Sequence, residues 1–265
     1  MLILLPPSEG KTAPKRGFPV QLDALSFPEL SEHRAEMVGA LVSLCTTDGL
    51  PLESEAARHV AERALGLGST QSAEIDKNAR LRSAPTARAD RVYSGVLYEA
   101  LDLPSLEGAA KRRATQWVAI TSSLFGLVRP GDRIPSYRLA GNVTLPGIGA
   151  VATYWNRHLD QSVQEAAGNG LVVDLRSSTY AAFWRPSRET ASRVVGVRVL
   201  HEHNGTRKVV SHFNKATKGR LVRDVLEDGG VAATPWGFAE QLGDLGWTVE
   251  EGPKKGVLDV VVSEL

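Results

Sequence analysis

The sequence predicts a mixed α/β (α+β) protein, and three observations carry that prediction. Short runs at residues 2–5, 117–121, 171–175, 194–201, 208–213 and 257–262 are mostly continuous apolar stretches, as the central strands of a buried sheet are. Between them, residues 30–45, 52–65, 70–79, 149–167 and 214–227 keep a helical period. The 265 residues, 42% hydrophobic and 23% charged, are enough for a substantial core in one large domain or two intimate ones. No linker, internal repeat or low-complexity tract divides them.

The first strand, residues 2–5, runs into Ser8-Glu9-Gly10-Lys11-Thr12. A phosphate-binding P-loop would need glycine where Leu5 stands, so no Walker site is predicted. Ser8 and Lys11 also fit Ser-x-x-Lys, in which one helical turn lets the lysine deprotonate the serine, although Gly10 is a poor helix residue. Further on, Leu65-Gly66-Leu67-Gly68 closes one helix, and Ser69 to Ile75 opens another. That pattern fits a hairpin whose glycines let a DNA phosphate approach backbone N–H groups and a helix start, or a plain C-cap followed by an N-cap.

After the strand at 117–121, residues 122–138 mix glycine, proline, arginine and tyrosine without regular periodicity, as a functional loop at a strand end does. Arg129 and Arg138 offer forked contacts to phosphate or carboxylate, with Tyr137 as donor or stacking surface; alternatively Arg129 pairs internally with Asp132. Residues 149–167 read as one helix with Val151, Trp155, Leu159 and Val163 on its core face. The strand at 171–175 ends in Asp174-Leu175-Arg176-Ser177, where Asp174 and Arg176 are cavity candidates and Ser177 a helix cap. Asn204-Gly205 signals a two-residue hairpin in which Glu202 faces Arg207. His201 and His203 share a strand face, but His212 would fall far down the partner strand, so no metal site is predicted.

The last long helix is expected to start at Asn214 as N-cap and to stop at Gly229-Gly230. Its apolar arc of Leu221, Val222, Val225 and Leu226 also contains Lys215 and Lys218, while Arg220 and Arg223 point away. Two ammonium groups in a first helical turn oppose the helix dipole unless an anion sits above them. That anion is a phosphate, or the lysines snorkel past the core edge or meet an internal carboxylate.

The net charge of +1 gives no global attraction to nucleic acid or membrane, so any anion site must arise from local clustering. Such clusters exist at residues 208–223, which hold basic but no acidic residues until past Arg223, and at Lys111-Arg112-Arg113. A single cysteine, Cys45, fits a reducing cytosol, and the opening residues lack a basic n-region and a long apolar stretch. A cytoplasmic protein without a membrane segment is therefore expected, and no cofactor is implied.

Taken in order, Leu2-Ile3-Leu4 with Ser8-x-x-Lys11, Tyr93-Ser94-Gly95, Ser123-Leu124-Phe125-Gly126 to Pro135-Ser136-Tyr137-Arg138, Trp155, the strand end from Asp174 to Tyr180, and Lys215-x-x-Lys218-Gly219 resemble the YaaA peroxide-stress proteins along nearly the whole chain. The resemblance implies one domain, residues 1–265, of unusual topology, with a central mixed sheet flanked by helices, a positively charged cleft and a helix-hairpin-helix element that binds double-stranded DNA. It also implies a cytoplasmic role in limiting oxidative damage and free intracellular iron. Ser8 and Lys11 match the family's Ser-x-x-Lys, Lys215 and Lys218 its basic helix start, and Gly66, Leu67 and Gly68 its hairpin. Here Ser8-Glu9-Gly10-Lys11 replaces a proline-containing version.

Two function classes follow. A DNA-binding protein would hold backbone phosphates through Ser8, Lys11, Gly66, Gly68, Arg129, Tyr137, Arg138, Lys215 and Lys218. An enzyme acting on DNA lesions or on a phosphate-containing small molecule would draw on Lys11, Asp174 or Lys215, for example with a lysine forming an imine on an abasic sugar. A module that meets an acidic protein partner is a third class. Direct iron or peroxide chemistry is not expected, since no iron-ligand cluster or resolving cysteine stands out.

Overall fold

In the computed structural model, which describes residues 1–203, 205–208 and 211–263, eight strands form one sheet. They are β1 (Leu2–Leu5), β2 (Val118–Ser122), β3 (Gly126–Val128), β4 (Val172–Asp174), β5 (Val194–His203), β6 (Thr206–Lys208), β7 (Thr248–Glu251) and β8 (Val257–Val262). Their spatial order is β7-β8-β5-β4-β1-β2-β3, with β6 paired to β5. The five strands from β8 to β2 run parallel, and β7, β3 and β6 pair antiparallel with their neighbours. The sheet is thus mixed, as the sequence predicts. Parallel strands covered on both faces need apolar side chains throughout, and every residue of β1 and β2 is buried.

The principal helices are α1 (Ser31–Leu44), α2 (Glu55–Leu65), α3 (Ala73–Ala79), α4 (Val96–Leu101), α5 (Gly108–Trp117), α6 (Val151–His158), α7 (Asp160–Ala167), α8 (Ser211–Asp228) and α9 (Pro235–Asp244). They flank the sheet and share its hydrophobic core. In α8 the expected arc of Leu221, Val222, Val225 and Leu226 is fully buried. Its Gly219 lies against α4 so closely that a Cβ there would come within 2.3 Å of the Leu97 carbonyl oxygen. Only glycine permits that approach, which fixes where the lysine before it falls.

Four expectations need correction. The expected strand at 208–213 ends at Lys208, and the chain is already helical at Ser211, so Asn214 lies inside α8 rather than capping it. Phe213 packs its ring 5.1 Å from that of His201 on β5, a tertiary contact that overrides local strand preference. Lys215 and Lys218 therefore fall beyond the first helical turn. Residues 149–167 form two helices broken at Leu159, although Val151, Trp155, Leu159 and Val163 are all buried as expected. Residues 122–138 are no uniform loop, because they contain β3 and the short strand Arg133–Ile134.

Strand β3 follows β2 through a tight turn at Gly126, whose φ of 71° and proximity to Trp155, 2.7 Å from a would-be Cβ, both demand glycine. The hairpin between β5 and β6 has the expected register, with Glu202 opposite Arg207 and an ion pair between them; Asn204 of its turn lies outside the described residues, as do Val209 and Val210.

Candidate functional site

Strand β1 is where the sheet's order of construction reverses: the chain leaves it for β2 on one side and returns through β4 on the other. In parallel α/β sheets such a reversal leaves a crevice outside the carboxyl ends of the strands. The loop after β1 enters that crevice. Residues 10–12 are pinned to the segment before α4, with the Thr12 N–H on the Val92 carbonyl at 2.8 Å and Lys11 bridged to Tyr93.

The Lys11 ammonium lies 4.3 Å from the centre of the Tyr137 ring and 5.7 Å from that of Tyr93. Its Nζ donates to the Ser8 carbonyl oxygen at 2.8 Å. Burial lowers its pKa to about 8, with the Glu9 carboxylate working in the opposite direction. Beneath it the Tyr137 hydroxyl sits between the hydroxyls of Tyr93, at 3.0 Å, and Ser122, at 2.8 Å. Tyr98 donates to the Pro6 carbonyl oxygen at 2.6 Å. Burial raises the pKa of all four phenols, Tyr93, Tyr98, Tyr137 and Tyr180, so they are neutral groups.

One rim of the crevice is Arg138, whose Nη1 meets Glu9 Oε2 at 3.1 Å while Tyr180 donates to the other Glu9 oxygen at 3.4 Å. The main chain of Arg138 is clamped to α3. Asn78, fully buried, donates to the Arg138 carbonyl oxygen at 2.8 Å and accepts from its N–H at 2.9 Å. A third cation comes from α8, where Lys218 Nζ donates to the Leu175 carbonyl oxygen at 3.1 Å, just past β4. Burial lowers the Lys218 pKa to about 8 against the opposing pull of Asp174. Lys215, one turn earlier, is exposed.

The remaining sequence candidates sort differently. Ser8 Oγ accepts from the Ser94 N–H at 3.1 Å and donates to the Gly10 carbonyl, while Lys11 reaches only the Ser8 main chain, so no serine–lysine dyad forms. Asp174 takes both arms of the Arg176 fork, at 2.8 and 2.7 Å, and the Arg176 N–H at 3.1 Å, so its two oxygens are engaged within the strand end. Arg129 is drawn to the other end of the sheet, where it donates to the Val118 carbonyl oxygen at 3.0 Å, lies 5.0 Å from the Phe27 ring, and has its N–H on Asp132 at 2.8 Å. The Arg129 guanidinium thus donates to a main-chain carbonyl, and Asp132 meets only its main-chain N–H.

Gly66 caps α2 in the left-handed region at φ 63°, and its N–H and that of Leu67 return to Arg63 and Glu62 of the same helix. The Gly68 N–H is taken by Gln71 Oε1 at 3.1 Å. Two helices joined by a glycine turn are thus present, but these three N–H groups are already engaged. Glu9, Asn78, Tyr93, Tyr98 and Tyr180 were not among the sequence candidates. Among the described residues there is no group of three or more side chains suited to a metal, and no helix long and apolar enough to cross a membrane.

A family model described as "Peroxide stress protein YaaA" matches residues 1–233. The chain belongs to the YaaA peroxide-stress family. A UPF0246 protein of Streptomyces coelicolor is 50% identical over the full length of both chains. One from Corynebacterium efficiens is 41% identical over 98% of this chain and all of its own, and an uncharacterized protein of Campylobacter jejuni is 29% identical over 84% and 83%. The family match supports a role in peroxide stress, and it includes the whole crevice of this YaaA-family chain.

Proposed function

We propose that this YaaA-family protein acts in peroxide stress by binding duplex DNA, holding backbone phosphates in the crevice between Arg138, Lys11 and the α8 lysines and limiting oxidative damage and free iron from there. One observation carries the reading: the Asn78 clamp joins α3, the helix after the glycine turn, to the main chain of Arg138. The glycine turn is therefore tied through α3 to the cationic crevice. The cations of Lys11, Arg138 and Lys218 suit a polyanion held through its backbone phosphates.

Fluorescence anisotropy of a labelled duplex across a salt series tests this. Affinity is expected to fall steeply with salt, with a shallower slope in Arg138→Gln and Lys218→Gln. Binding indifferent to salt and to both substitutions would refute it.

The two lysines with pKa near 8 favour a second reading, an enzyme acting on a DNA lesion. A neutral lysine amine adds to the aldehyde of an abasic sugar and expels water to form an imine. Borohydride reduces that imine to a stable amine, so a trapped protein–DNA adduct lost in Lys11→Gln or Lys218→Gln supports lysine chemistry, and no adduct removes it.

A further inference from the structure

The Glu9 carboxylate behaves as a ligand of the crevice rather than as part of its wall. Its two oxygens bridge Arg138 Nη1 and the Tyr180 hydroxyl, and its charge is felt by Lys11. The groups it bridges are largely buried, while its own side chain is about half exposed, at 51%. It reaches them from the turn that contains Gly10, between β1 and the segment pinned to Tyr93.

The bridge is also incomplete. Arg138 Nε, half of the guanidinium's side-on fork, is buried and has no hydrogen-bond partner among the described residues. A buried charged donor without an acceptor is unfavourable, and a single carboxylate already bound at Nη1 leaves it so. A phosphoryl group, with three oxygens in a tetrahedral spread, can accept from the fork and from Tyr180 while remaining close to Lys11.

We propose that Glu9 is a built-in stand-in for a phosphoryl group, occupying the place where Arg138, Tyr180 and Lys11 receive one phosphate of the ligand and leaving when that phosphate binds. This rests on the backbone-phosphate reading for the identity of the ligand, but the site itself asks only for a phosphoryl anion. Glu9 thus sets a threshold: weak or transient anions do not displace it, and a polyanion that adds contacts along α8 does. The exchange preserves the negative charge opposite Arg138 and near Lys11.

The test compares wild type, Glu9→Gln, Glu9→Gln in an Arg138→Gln background, and Glu251→Gln, which removes one exposed carboxylate from the far edge strand β7. The probes are a short fluorescein-labelled duplex and inorganic pyrophosphate. Glu9→Gln is expected to bind the duplex about two- to fivefold tighter than wild type, the size of a partly exposed charge pair. The gain should vanish in the Arg138→Gln background and be absent in Glu251→Gln. Equal gains at Glu9 and Glu251 would reduce the effect to net charge and overturn the proposal. Unchanged or weaker duplex binding in Glu9→Gln would overturn it while leaving duplex binding intact. Tighter pyrophosphate binding in Glu9→Gln, with no duplex binding by either protein, would uphold the stand-in and refute the DNA reading. Binding of neither probe by any variant would overturn both.

Discussion

Arg129 and Arg138 come from one run, residues 122–138, yet they meet opposite fates. Arg129 turns to the amino end of β2 and is absorbed by a carbonyl, an aromatic face and the Asp132 loop. Arg138 stays at the carboxyl end with one half-exposed carboxylate and an unpartnered buried Nε. Arg34 extends the first pattern: fully buried on α1, it donates to the carbonyls of Phe125, Leu127 and Ser26 at 3.0, 2.8 and 2.6 Å and so closes the β3 edge. Residue type does not separate structural cations from available ones. What separates Arg34 and Arg129 from Arg138 is that main-chain carbonyls accept from their guanidinium groups, whereas Arg138 meets a carboxylate and keeps a buried donor unpartnered.

The largest effect that would sharpen this contrast is on stability. Arg34→Met should leave the Phe125, Leu127 and Ser26 carbonyls without their charged donor and destabilise the protein by about 3–5 kcal/mol in denaturant unfolding, the summed cost of several acceptors left unsatisfied. Duplex affinity of the remaining folded protein should stay within about twofold of wild type, below the effect of losing a direct phosphate contact. A stable Arg34→Met protein, or a folded one that no longer binds duplex, would erase the distinction between the two kinds of cation.

A smaller effect distinguishes the rim by pH. Lys11 and Lys218 both have pKa lowered to about 8 by burial, so each is charged below that value and neutral above it. Affinity for a phosphate ligand should therefore fall as pH rises from 7 to 9, by about tenfold if one phosphate contact is lost. Lys11→Arg should flatten the fall, because a guanidinium keeps its charge across that range. An affinity constant from pH 7 to 9 in wild type would mean that neither lysine touches the ligand.

Much of the framework was legible in the sequence. Residues 2–5 and 257–262 are strands with the expected bounds because fully buried parallel strands announce themselves as unbroken apolar runs. The burial of Lys218 was legible too, since helical period puts it on the apolar arc of α8. Lys215 lies on the same arc by period yet is exposed, so period alone does not tell which of the two lysines the neighbouring elements cover. The surroundings of Lys11 were illegible for a different reason: Tyr93, Tyr137 and Tyr180 come from three distant segments that only the sheet brings together. Glu9 reads as one more surface carboxylate until Arg138 and Tyr180 are seen on its two oxygens.

The smallest expected effect concerns Ser8, which fits a Ser-x-x-Lys pattern with Lys11. Ser8 sits three before Lys11, but its hydroxyl links the Ser94 N–H to the Gly10 carbonyl, and the lysine amine rests on the Ser8 main-chain oxygen, which any residue supplies. Ser8→Ala removes one half-exposed bridge and should cost about 0.5–1.5 kcal/mol of stability, the net worth of an ordinary hydrogen bond. Duplex affinity and any borohydride-trapped adduct should be unchanged, because Lys11 keeps its place above Tyr137. Loss of a trapped adduct in Ser8→Ala, with Lys11 intact, would instead make the serine a working partner of the lysine. The rim would then hold an activated pair rather than cations awaiting an anion, and the contrast with Arg129 and Arg34 would have to be redrawn around catalysis.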